Sequence, residues 1–233
     1  MMFLTAAGRS YGLKTNGSSR EAGSQLEQLK YASDVTAASS NRIVYAGSAT
    51  SEGTLTASDK FSWETIVRSC TYAHRKGIRP IRQKGKEYYA IVISPEQKRD
   101  LLLDNTYQTI VGRAAERGHN NPLFTNALAV VSGAILYEHR KVFNTTGMTS
   151  GSKWGSGGTV DGAQAQLMGA QALGFATIGA AKWAESDKTD YGNRPGVAYG
   201  QTFGILKPKF KPTASSTARE DYGTVAIKTA AAI

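Results

Sequence analysis

GKEYYAIVISPEQKRDLLLDN, residues 85–105, holds a strand, a helix and the corner that joins them. Residues 88–93 are aromatic and β-branched with one alanine, the composition of a buried strand. Ser94 follows as a helix cap, Pro95 suits the first helical position, and Gln97 is spaced to close a capping box. Leu101 and Leu102 give the helix an apolar side, and Lys98, Arg99 and Asp100 give it a charged one. The corner is rigid, carries no catalytic group, and sets the frame against which the flanking segments pack.

Upstream, Trp63, Ile66, Val67, Cys70 and Ala73 recur at helical spacing, predicting an amphipathic helix over 60–75. Thr56 and Asp59 fit a capping box in front of it, and Gly77 ends it. Residues 78–81 read as extended, and Lys84-Gly85-Lys86 as a basic turn. Residues 42–45 predict a short strand, residues 9–40 mostly loop, and residues 1–7 the last turns of a helix stopped by Gly8.

Downstream, residues 107–117 predict a helix with Ile110, Val111 and Ala114 inward. Residues 128–138 read as strand, turn, strand about Ser132-Gly133. The Gly/Ser/Thr-rich run 144–161 predicts an exposed, flexible insertion. Residues 162–173, small and apolar, predict a closely packing helix. Residues 175–181 predict a strand, 183–196 a polar turn region, and 197–206 a strand bent at Gly200 and Gly204. A basic, proline-broken stretch, 207–211, precedes a closing strand at 221–230. Helices and strands mix without regular βαβ alternation, which favours an α+β fold.

The 233 residues suffice for a real core, and the formal net charge of +10 favours contact with polyanions, nucleic acid first. Cys70 is the single cysteine, so neither an intramolecular disulfide framework nor a Cys-rich zinc site exists, and it sits on an apolar stripe as an inert thiol. No apolar run has the length of a membrane span, and the first ten residues lack the pattern of a signal peptide. His74, His119 and His139 have no metal-ligand partner at usable spacing. Gly155–Gly158 misses the phosphate-loop context, and no G-x-S-x-G elbow is present. Asp100, Asp104 and Glu116 read as solvated helix carboxylates or partners of Arg99, Arg113 or Arg117. Two basic groups stand out: Arg75, Lys76, Arg79, Arg82, Lys84 and Lys86, then Lys207, Lys209 and Lys211. They suit phosphate neutralisation without base reading, or pairing with acidic residues of a neighbouring subunit.

Several segments carry a resemblance: LTASDKFSWETIVRSC, IRPIRQKGKEYYAIVISPEQKRDLLLD, RAAERGHNNPLFTNALAVVSGAILYEH, AQLMGAQALGFA, KWAESDKTDYGNRPGVAYG and REDYGTVAIKTA. In order and spacing they resemble the tailed-phage major capsid proteins of the N-four-like family, over most of residues 42–230. The resemblance implies an HK97-like capsid fold, with an axial domain and part of a peripheral domain. It corresponds to a C-terminal portion, without counterpart for the N-terminal arm, the extended loop and most of the spine helix. The implied organisation is 1–55 as the end of the spine helix and a peripheral segment, 56–206 as mainly axial domain with return to the peripheral domain, and 207–233 as a peripheral strand.

The implied function is self-assembly into hexamers and pentamers of an icosahedral virion shell around DNA, in the host cytoplasm, with no active site, cofactor, metal or membrane. Portal, scaffolding and decoration proteins are the implied further partners. Arg113, Arg117, Trp183, Asp190 and Tyr191 combine ionic with aromatic character beside turns, as interface anchors do. Arg79, Arg82 and Lys84 are the candidate DNA-facing charge. Two rivals remain, a sequence-nonspecific nucleic-acid-binding module and a hydrolase using His119 or His139 with a carboxylate.

Overall fold

The structure, a computed structural model, describes residues 10–11, 29–30, 37–83, 85–114, 130–131, 133–140, 142–186 and 196–231. Strands β1 (Ser10–Tyr11) and β2 (Leu29–Lys30) pair with each other. The body contains β3 (Ile43–Tyr45), α1 (Trp63–Arg75), β4 (Ile81–Gln83), β5 (Lys86–Ile93), α2 (Pro95–Leu103) and α3 (Asn105–Ala114). It continues with β6 (Val130–Val131), β7 (Ala134–Glu138) and β8 (Gly162–Met168). Then follow β9 (Gly174–Ser186), β10 (Gly196–Leu206), β11 (Lys209–Phe210), β12 (Glu220–Asp221) and β13 (Thr224–Ala230). Helices and strands share one core, so the α+β class and the strand-to-helix corner are as expected.

Among the described residues, seven strands form the central sheet in the order β3-β13-β8-β5-β7-β6, with β4 on the first half of β5. β5 runs parallel to β7 and antiparallel to β8, and β13 runs parallel to β3 and antiparallel to β8. Alternation along β5 turns Tyr89, Ile91 and Ile93 into the core. There they meet Ile66 and Cys70 of α1, Leu101 of α2, Tyr107 of α3, Leu167 of β8, and Val225 and Ile227 of β13.

The corner at Ser94 forms as its residues dictate. Ser94 Oγ accepts from the Gln97 backbone N–H at 3.2 Å, and Gln97 Oε1 accepts from the Ser94 N–H at 3.1 Å. The same Gln97 amide donates to Thr229 Oγ1 at 2.8 Å and to the Ala163 carbonyl, tying α2 to β8 and β13. Asp104 then joins three helices. It ends α2, its Oδ2 accepts from the first N–H of α1 at Trp63 (2.7 Å), and its Oδ1 accepts from Thr106 in α3 (3.0 Å).

Four local expectations change. The helix expected over 162–173 is a strand, β8, followed by a turn at Gln171 with φ 62°. Alanine, glutamine, leucine and methionine favour helix in isolation, but pairing with β5 and β13 overrides that preference. Ala163, Ala165 and Leu167 share a sheet face with Ile227 and Val225, while Gln164 and Gln166 point to the other.

The insertion at 144–161 is packed rather than loose. Trp154 is buried in a second small core with Ala49, Leu55 and Phe143, on the sheet face that carries Lys228. The helix expected from residue 60 starts at Trp63 behind a Ser62 cap. Thr56 and Asp59 bond each other as a separate turn in front of it, so that box caps no helix. Finally, the turn region expected from 183 is strand up to Ser186, because Trp183 and Glu185 pair with Tyr199 and Val197.

Candidate assembly surface

Strands β9 and β10 form a two-stranded hairpin that stands outside the central sheet. Its 11-residue strand is about 36 Å long at ~3.3 Å per residue. Every residue of 175–185 and 196–204 is exposed. The register sorts the side chains into two unlike faces. Val197, Tyr199, Gln201, Phe203 and Ile205 alternate onto one face of β10, with Phe175 opposite Ile205 and Trp183 opposite Tyr199. The reverse face carries Ala176, Ala184, Ala198, Gly200 and Gly204, with Ile178, Lys182 and Thr202. Between the pairs Ile178–Thr202 and Lys182–Gly200 β9 has two extra residues, and Gly179 takes a left-handed φ of 75° at that bulge. The irregularity thus lies beside Gly200, where a bend is expected, but the extra residues are on β9, and Gly204 pairs regularly with Ala176.

The aromatic face is fully open. Trp183 is 62% exposed and Tyr199 64%, and the rings of Phe175 and Phe203 lie 6.1 Å apart. The Trp183 indole N–H donates to Glu185 Oε1 at 2.6 Å, which orients the ring along the strand. An exposed face this rich in aromatic side chains, interrupted by Thr177, Glu185 and Gln201, is of a kind that suits an interaction site, and a two-stranded sheet exposed on both faces is marginal until something covers it.

The root of the hairpin is locked. Lys207, the residue after β10, is buried and pairs with buried Asp221 at 3.1 Å. Burial pushes the Lys207 ammonium below its ordinary pKa, and the Asp221 carboxylate opposes that shift. Asp221 Oδ2 also accepts from the Ser39 N–H, and its own N–H donates to Ser39 Oγ, both at 3.0 Å. Beside them Arg42 lies buried under the Phe210 ring, donates to the Lys76 carbonyl at 3.3 Å and faces Glu220 at 3.6 Å. Sequence reading misses this cluster because its members come from chain positions about 180 residues apart. Lys207 is therefore not the surface phosphate contact that its place in a basic run predicts.

The remaining candidates separate. Trp183 sits on the aromatic face, while Asp190 and Tyr191, in the segment joining β9 to β10, and Arg117 lie outside the described residues. Arg113 is in α3, with its side chain outside the description. Arg79 is exposed, Arg82 pairs with Glu87 at 2.9 Å on the surface, and Lys84 lies outside the described residues. His119 also lies outside them, whereas His74 is in the last turn of α1 and His139 directly follows β7 with its N–H bonded to the Ile93 carbonyl at 2.9 Å. Among the described residues, no three His, Cys, Asp or Glu side chains are grouped to hold a metal ion.

Cys70 faces the core, and burial pushes its thiol up to about 11. A thiol held protonated is a poor nucleophile. Folded protein at pH 8 is thus expected to resist a disulfide-exchange reagent and to react fully once unfolded, as followed by absorbance. Fast labelling of the native chain would contradict this burial.

Comparison with known proteins places this architecture among viral shell subunits. A family model described as phage capsid protein matches residues 13–233. The major capsid protein of Pseudomonas phage KPP25 is 37% identical, over 99% of this chain and 63% of the relative. The capsid of Ralstonia phage GP4 superposes with a TM-score of 0.69 at 25% identity, over the whole chain and 62% of its own. The capsid of cyanophage Pam1, at 17% identity, shares the fold with a TM-score of 0.66 over 83% of this chain and 55% of its own. The chain thus spans less than two thirds of the length of these relatives.

Proposed function

Because this chain belongs to the phage capsid protein family, we propose that it builds the shell of a tailed phage by associating with copies of itself. Hexamers and pentamers of the subunit tile a closed virion shell, assembled in the host cytoplasm, that encloses DNA. The observation that carries this reading is the exposed aromatic face of the β9–β10 hairpin. A rigid body holds it at a locked root, its length suits a standard-sized interface, and its side chains are of the types that dominate interface energetics. Symmetric closure needs complementary surfaces rather than an active site. The exposed positive charge at Arg75, Lys76 and Arg79 suits a shell subunit on either of two counts, contact with enclosed DNA or contact with a neighbour.

The test is electron microscopy of the full-length protein after purification. Closed shells or capsomer rings of uniform size are the expected result. A monomer at every concentration that nevertheless binds DNA with a steep salt dependence would replace this reading with a nonspecific nucleic-acid-binding module.

A further inference from the structure

We propose that copies of this chain meet head to tail, the basic corner at the C-terminal end of α1 on one copy entering an acidic cleft at the N-terminal end of α1 on the next. This rests on the self-assembly reading above and adds which surfaces meet.

The cleft has a volume of about 400 Å³. Asp59, Glu64, Asp100 and Asp104 line it, against only Lys60 and Arg68 of the opposite sign. It is an acidic spot on a chain of net charge +10. Asp59 and Asp104 are partly used by backbone N–H groups of the surrounding turns. Glu64 is exposed and has no ion-pair partner among the described residues. The side chain of Asp100 is wholly buried; Arg99 holds its Oδ1 at 2.7 Å, but its Oδ2 has no hydrogen-bond partner. A buried carboxylate oxygen left this way is costly; closed off from solvent, it takes no donor from outside, but its carboxylate adds to the negative charge lining the cleft.

The opposite charges stand at the other end of the same helix. Arg75 closes α1, Lys76 caps it, and Arg79 follows Gly77; all three are exposed. Arg75 and Arg79 have no acidic partner among the described residues. Thirteen residues of helix separate the two surfaces by about 20 Å at ~1.5 Å per residue, so one copy cannot satisfy its own cleft. An acid at the start and a base at the end of a helix also complement its dipole. That accounts for Glu64 and Arg75, but not for Asp59, Asp100 and Asp104, which come from other segments, nor for Arg79, which lies beyond the helix. A guanidinium offers the planar fork that carboxylates accept best, and Leu103, exposed on the cleft wall, is placed to cover its aliphatic stem. Because the two surfaces differ, the contact is heterologous, and repeating it generates a ring wherever the rotation closes. The basic corner alone would suit phosphate equally; the matching cleft on the same chain is what favours a second copy.

Charge reversal in the full-length protein tests this. Glu64→Lys on the cleft side, and Arg75→Glu with Arg79→Glu on the corner side, are all at exposed positions, and the monomers are expected to stay folded and melt only a few degrees below wild type, the loss of the dipole-matched charges at the ends of α1. By sedimentation velocity each reversal is expected to weaken oligomerisation on the order of a hundredfold, and raised salt to weaken the wild type. The chain carrying all three changes is expected to recover oligomers to within a few-fold, since the reversed corner now meets a reversed cleft. Oligomers of wild-type strength from either reversed chain, or no recovery in the combined one, overturn the contact while leaving self-assembly standing. Intact shells that lose only their DNA would do the same and assign the corner to phosphate. A wild-type chain that never oligomerises overturns self-assembly and this contact together.

Discussion

A chain carrying Trp183→Ser and Tyr199→Ser is expected to fold and melt as wild type does, and to fail to assemble. The two residues face each other across the hairpin, and both are more than half exposed. In the monomer their loss removes one cross-strand aromatic pair, worth about 0.2–1 kcal/mol, at a site the central core does not use. In an interface, buried aromatic anchors are worth about 2 kcal/mol each. Removing both should weaken association about a thousandfold, since ~1.4 kcal/mol is a factor of ten. Circular dichroism melting and sedimentation velocity on the same sample separate the two effects. Assembly within a few-fold of wild type would show that the aromatic face is covered by something other than a copy of this chain.

The second large effect is expected at Trp154, with the opposite signature. Trp154→Ala should cost about 3–5 kcal/mol of stability in guanidinium denaturation, the usual range for truncating a buried aromatic. The indole is 4% exposed, stacks 6.1 Å from Phe143, and lies 5.9 Å from the Lys228 ammonium. The backbone of Trp154 exchanges hydrogen bonds with Val160, closing the insertion on itself. The ring packs directly on the Gly162 backbone, where a Cβ would fall 1.9 Å from it, so glycine offers no side chain on that side to fill the hole that the ring's removal leaves. The variant should also become sensitive to proteolysis within 142–161 while the helices keep their circular dichroism. A loss below about 1 kcal/mol would mean that this segment contributes little to the native core.

These two sites show where sequence reading succeeds and where it stops. The corner at 88–101 is legible because its signals are local: a β-branched run, then Ser94, Pro95 and Gln97 at capping spacing. Trp183 is legible as an exposed residue because an aromatic beside charged residues is a surface signal wherever it falls. The insertion at 144–161 misleads because glycine and serine serve two purposes. At Gly158, with φ 66°, a Cβ would strike the Gly151 backbone at 2.7 Å, so this glycine enables a tight turn rather than a loose one. The lone Trp154 in that run is the sequence signal of burial. For β8, alternation of Ala163, Ala165 and Leu167 with Gln164 and Gln166 already has the period of a strand, but helix-favouring composition conceals it. The acidic cleft and the Lys207–Asp221 lock are not legible at all, because tertiary folding alone gathers their members.

The last described strand, β13, is an interior one, bonded to β3 on one side and β8 on the other. While a ribosome is still extending the chain, the early edge strand therefore has no neighbour to pair with, and the hydrophobic layer stays unfinished until Ala230 has emerged. Such long-range pairing is intrinsically slow to form. A nascent chain still short of Ala230 therefore lacks the finished central sheet, and this region can complete its fold only once β13 has left the ribosome.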